Sequence, residues 1–83
     1  MITEYVAAAM RQSEAEQMEN GRYFATIPVC KGCWAEGATV EECRAELPEV
    51  LESWLIVRLR RGLEIPVIEG IDLNPKLAYA EAD

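Results

Sequence analysis

Apolar residues near the start of the chain fall at Tyr5, Val6, Ala9 and Met10, one face of a helix, before the pattern turns polar from Glu14 to Met18. This spacing predicts a short amphipathic helix from Thr3 to about Gln12, with Thr3 as N-cap and Glu4 in the first turn. A helix of about ten residues is shorter than the roughly 12–15 needed for stability alone, so it is expected to dock on the rest of the chain. Asn20-Gly21 offers the two left-handed positions of a type I′ hairpin turn, which predicts antiparallel pairing of Glu14–Met18 with Arg22–Ile27. Aromatic and β-branched residues enrich the second segment, and Pro28 ends its ladder because it has no amide hydrogen to donate. After a turn at Lys31-Gly32, Cys33–Glu36 reads as a third short strand closed by Gly37, which completes a three-stranded meander.

Thr39-x-x-Glu42 is a capping box and opens the clearest element. From there Val40, Cys43, Leu47, Val50, Leu51, Trp54 and Leu55 recur at three and four, tracing one apolar stripe. Arg58, Arg60 and Arg61 suit the negative end of the helix dipole, and Gly62 fits the left-handed position just beyond it. Pro48 interrupts this run. An interior proline removes a hydrogen bond at a cost of about 3 kcal/mol, which predicts a kink near Glu46 or Leu47. Beyond Gly62, Ile65–Ile68 and Gly70–Leu73 read as extended segments broken by Pro66 and Gly70, with one short final strand and a turn at Asn74-Pro75. The small, acidic stretch Ala78–Asp83 is expected to fray.

The pattern predicts an α+β fold: a three- to four-stranded antiparallel sheet with one long helix packed on one face, plus a short N-terminal helix. Residues 1–83 form a single domain, with 1–12 a helical extension, 13–38 the meander, 39–62 the main helix and 63–83 a C-terminal extended segment. A chain this small buries only about 60–65% of the surface it exposes unfolded. A sheet covered on one face also leaves an open face and two edges. Self-association, as a dimer or a higher even-numbered oligomer, is the expectation.

Charge and cysteine usage narrow the chemistry. Fifteen acidic against eight basic residues give a net charge of -7, which repels nucleic acid and favours basic partners. No apolar run approaches the roughly 20 residues of a membrane span, and the N-terminus lacks a charged-then-apolar signal pattern, so a cytoplasmic location is expected. Three cysteines, with Cys30 and Cys33 three apart, do not make a disulfide framework. A structural zinc site needs four ligands, and the chain has neither a fourth cysteine nor any histidine. A redox pair belongs at a helix start, where the dipole acidifies a thiol, but this pair falls in a turn between strands. The thiols therefore read as small apolar core fillers, and no metal or cofactor is expected.

Two-metal nuclease chemistry needs convergent carboxylates. Glu14, Glu16 and Glu36 are the strand carboxylates, at alternating positions that read as a solvated face, so no catalytic residue and no enzymatic activity are expected. These three are instead candidate partner-binding residues. Trp54, on the helix stripe, reads as core. Trp34 sits among small residues on a short strand facing away from the helix, which makes it the candidate for self-association.

The segments Tyr23-Phe-Ala-Thr-Ile-Pro28, Gly32-Cys-Trp-Ala-Glu-Gly-Ala-Thr39 and Val40-Glu-Glu-Cys43, with the hairpin glycine Gly21, resemble the HicB-like antitoxin family, truncated relatives of the ribonuclease H architecture. The resemblance runs from Arg22 to Gly62. It implies a non-catalytic module that blocks a small basic HicA-type ribonuclease toxin. The chain stops short of the DNA-binding domain that many family members carry, and its N-terminal helix is similar to that of stand-alone cyanobacterial variants. The alternative is an oligomeric structural or regulatory domain with no toxin partner.

Overall fold

A computed structural model describes residues 2–74. Helix α1 (Ile2–Arg11) is followed by strands β1 (Glu14–Gln17), β2 (Tyr23–Thr26) and β3 (Trp34–Gly37), then helix α2 (Val40–Arg61). The strands form an antiparallel sheet in the order β1-β2-β3, with α2 packed on one face. This is the α+β arrangement expected, with three strands among the described residues. Among the described residues a final strand does not form. Leu63 onward runs extended to an isolated bridge between Ile68 and Ile71, where Glu69 (φ 50°) and Gly70 (φ 80°) turn the chain back on itself. The expected fraying of Ala78–Asp83 lies outside the described residues.

The first hairpin forms where the sequence placed it, with a different turn. Gly21 is left-handed (φ 88°) but Asn20 is not, so this is no type I′ turn. Instead the Gly21 amide donates to the Met18 carbonyl at 3.0 Å and the Met18 amide to that of Arg22 at 2.6 Å, enclosing a three-residue loop. Asn20 acts through its side chain: Oδ1 accepts the Arg22 amide at 2.9 Å. Thr3 lies inside α1, which begins at Ile2, and so is not its N-cap.

Ala15, Ala25 and Ala35 are paired across the three strands. This rung of small side chains lets α2 approach closely, and Cys43, Leu47, Leu51 and Leu55, each four residues apart, are fully buried against the sheet side. At the joint between β3 and α2 the approach is tightest. A Cβ on Gly37 would lie 2.8 Å from Glu42 Cβ. The capping box forms with one change: Thr39 Oγ1 accepts the Glu42 amide at 3.1 Å, while Glu42 Oε1 reaches past Thr39 to the Ala38 amide at 2.9 Å. At the other end Gly62 is left-handed (φ 69°), and the Leu63 amide donates to the Arg58 carbonyl at 2.9 Å. Pro48 lies within one unbroken helical segment. Arg44, whose carbonyl would have accepted the missing bond, is an exposed residue, so that carbonyl is near solvent rather than core.

The segment after α2 straps α1 into place. Ile65 and Ile68 are buried, the Tyr5 hydroxyl donates to the Pro66 carbonyl at 2.6 Å, and the Arg11 guanidinium pairs with both carboxylate oxygens of Glu69 at 3.0 and 2.5 Å. Asn74 substitutes for a strand neighbour of Ile65. Its Oδ1 accepts the Ile65 amide at 2.7 Å and its Nδ2 donates to the Ile65 carbonyl at 2.8 Å.

Candidate functional site

Strand alternation sends Ala15, Ala25 and Ala35 toward α2, so their neighbours along each strand point the other way. The opposite face carries Glu14 and Glu16 from β1, Phe24 and Thr26 from β2, and Trp34 and Glu36 from β3. Register sets them in two rows, Glu14–Thr26–Trp34 and Glu16–Phe24–Glu36. All four residues singled out in the sequence, Glu14, Glu16, Glu36 and Trp34, therefore share one surface. Trp34 is 53% exposed.

Between these rows runs a diagonal apolar stripe from Trp34 through Phe24 to Met18, with Thr26 beside it, forming a shallow groove of about 380 Å³. Glu14 and Glu16 flank one side of the stripe. On the other, Arg22 Nε donates to Glu36 Oε2 at 2.7 Å, so Glu36 is paired within the chain rather than free. Phe24, Met18 and Arg22 escaped the sequence reading. Period-2 alternation from Ala25 was sufficient to place Phe24 there, but Met18 and Arg22 join the face through the hairpin loop, whose geometry the dipeptide Asn20-Gly21 did not reveal.

The three cysteines lie on the other side of the sheet, buried and free. Cys30 Sγ is 3.9 Å from the Tyr5 hydroxyl, and the Cys43 thiol donates to the Tyr23 carbonyl at 3.3 Å. Burial, and next to it the neighbouring Cys30, pushes the Cys33 thiol up to about 11; burial raises Cys30 as well. Such thiols are protonated at neutral pH and are poor nucleophiles. Among the described residues no group of three or more His, Cys, Asp or Glu side chains is placed to hold a metal ion, and no helix is long and apolar enough to cross a membrane.

Trp54 is only partly buried. Its Nε1 donates to the Lys31 carbonyl at 3.0 Å, tying α2 to the turn between β2 and β3, and the Arg58 guanidinium lies 4.4 Å above its ring. That stacking occupies the first of the three last-turn arginines.

No curated protein matches the sequence. Among solved structures, the crystal structure of TTHA0281 from Thermus thermophilus is similar, at 32% identity and a TM-score of 0.80, over 90% of this chain and 94% of that one. These findings correct the HicB-like reading. The family that matches is another one, and nothing in either likeness carries an antitoxin role, a HicA-type toxin or a ribonuclease H relation to this chain. The features that suggested it, turn glycines at Gly21, Gly32 and Gly37, Pro28 and a capping box at Thr39, are what any meander feeding a helix requires. With the UPF0150-like family model matching residues 4–66, most of its length, the chain belongs to the UPF0150-like family.

Proposed function

We propose that the protein is a non-catalytic structural or regulatory module that works by assembling with copies of itself through the open face of its sheet. The observation that carries this reading is the apolar stripe Trp34–Phe24–Met18, an aromatic surface on the side of the sheet that α2 does not cover. An exposed apolar patch with a charged rim is the usual mark of an interface. A two-fold axis along the stripe lays Glu16 of one copy near the Arg22–Glu36 pair of the other, where Arg22 offers it a cation. The raised thiols support a role without nucleophilic cysteine chemistry. An odd number of free cysteines suits a reducing compartment, in keeping with the cytoplasm.

Light scattering at micromolar concentration tests this. The wild type is expected at an even multiple of the protomer mass, and Trp34→Ala is expected to lower that mass while circular dichroism and the unfolding cooperativity of the protomer stay close to wild type. A monomeric wild type would end the proposal. Loss of fold and assembly together in Trp34→Ala would assign Trp34 to the protomer instead.

A further inference from the structure

Helix α2 is electrically asymmetric. Glu41, Glu42, Glu46 and Glu49 lie in its N-terminal half and Arg58, Arg60 and Arg61 in its last turn. The ion pairs Arg11–Glu69 and Arg22–Glu36 involve none of these α2 side chains. Between the two charged ends, Glu46, Val50, Ser53, Val57 and Arg60 recur at four, three, four and three residues, the spacing of a seam between two helices. Arg44 falls on another side of the helix. The seam is open: Val57 is 49% exposed, and Val50, Ser53, Trp54, Val57, Arg58 and Leu63 line a groove of about 390 Å³. Arg58 stacks on Trp54 with its Nε buried and lacking an acceptor.

We infer that this face of α2 packs against the same face of a second copy, antiparallel, about a two-fold axis near Ser53. That axis sets Glu46 and Glu49 of each copy beside the arginines of the other's last turn and brings Val50 to Val57. The small Ser53 at the centre lets the helix axes approach. A parallel arrangement would place like charges together. One sequence supplies both halves of the charge pattern, which favours a second copy over a foreign helix and makes the contact closed and self-complementary. The inference goes beyond the sheet-face assembly: it adds a second two-fold interface, and the two close as a dimer of dimers when their axes cross at right angles.

The test uses the full chain carrying Trp34→Ala, to remove the sheet contact, with mass read by light scattering and fold by circular dichroism. The Trp34→Ala protein is expected to be a dimer. Adding either Glu46→Arg with Glu49→Arg, or Arg60→Glu with Arg61→Glu, is expected to halve the mass, because each variant sets like charges face to face. Mixing the two folded variants one to one is expected to restore the dimer, since the reversed charges then match. A monomeric Trp34→Ala protein, reversed variants that stay dimeric, or a mixture that stays monomeric would each overturn the α2 interface. A Trp34→Ala protein that keeps the wild-type tetramer mass while the reversals still halve it would instead overturn the sheet interface and leave α2 standing.

Discussion

Cys33 holds its proton more tightly folded than unfolded, because burial penalises the thiolate and Cys30 lies close by. The stability this contributes is complete below the ordinary thiol value near 9 and is lost as pH rises through the folded value of about 11. The urea midpoint is therefore expected to fall between pH 9 and 11. Cys33→Ala should make that fall shallower without removing it, since Cys30 and Tyr5 are raised by burial too. An identical fall in the variant would show that Cys33 ionises as freely in the folded chain as in the unfolded one. The sequence supported the reading of these thiols as core fillers, since ligand counting needs only composition. It could not supply the Tyr5 hydroxyl beside Cys30, a contact across 25 residues that depends on where α1 docks.

The joint between β3 and α2 depends on one missing methyl group. Gly37 needs no unusual φ; it is required because any Cβ would press on Glu42 Cβ at 2.8 Å and on the Cys43 amide nitrogen at 3.2 Å. Both atoms belong to the first turn of α2 and cannot swing aside. Gly37→Ala is expected to cost about 1–3 kcal/mol in denaturant unfolding, the range for overpacking a tight site. A loss under a few tenths of a kcal/mol would mean the helix start shifts freely. Elements of this kind were legible from the chain: the stripe ending at Leu55, the cap at Thr39 and the stop at Gly62 are all local. Turn types were not. Asn20-Gly21 stays out of the left-handed pair because the Met18–Arg22 pairing fixes a three-residue loop, whereas Glu69-Gly70 adopts two positive φ values with no asparagine to announce it. The final strand failed for a related reason, as Asn74 supplies through its side chain the hydrogen bonds that a neighbouring strand would give Ile65.

For the whole molecule, the charge of -7 opposes the crowding of copies, so assembly must draw on apolar contact and on local pairing of opposite charges. If folding and assembly are linked as proposed, stability follows mass action: the melting temperature of the wild type is expected to rise with protein concentration, and that of a chain carrying both Trp34→Ala and the Arg60→Glu, Arg61→Glu pair to stay constant. A wild-type melting temperature independent of concentration across the range where light scattering sees mass change would show that the interfaces add nothing to the fold. The sequence made the open sheet face visible through Trp34 and the strand glutamates. It hid the second surface, because Val50 and Trp54 read as core until α2 is seen to bury the Cys43–Leu55 stripe and leave its flank bare.

The strap that holds α1 has a consequence for how the protein comes to be made. Helix α1 leaves the ribosome well ahead of its anchors: Pro66 follows Tyr5 by 61 residues and Glu69 follows Arg11 by 58. Ten residues are too few to hold helical shape unaided, so α1 waits as loose chain while the meander and α2 assemble ahead of it. An element made before the meander and α2 thus settles after them, and until it does, the side of the core beneath Tyr5, Ala8 and Ala9 stands open to chaperone and protease alike.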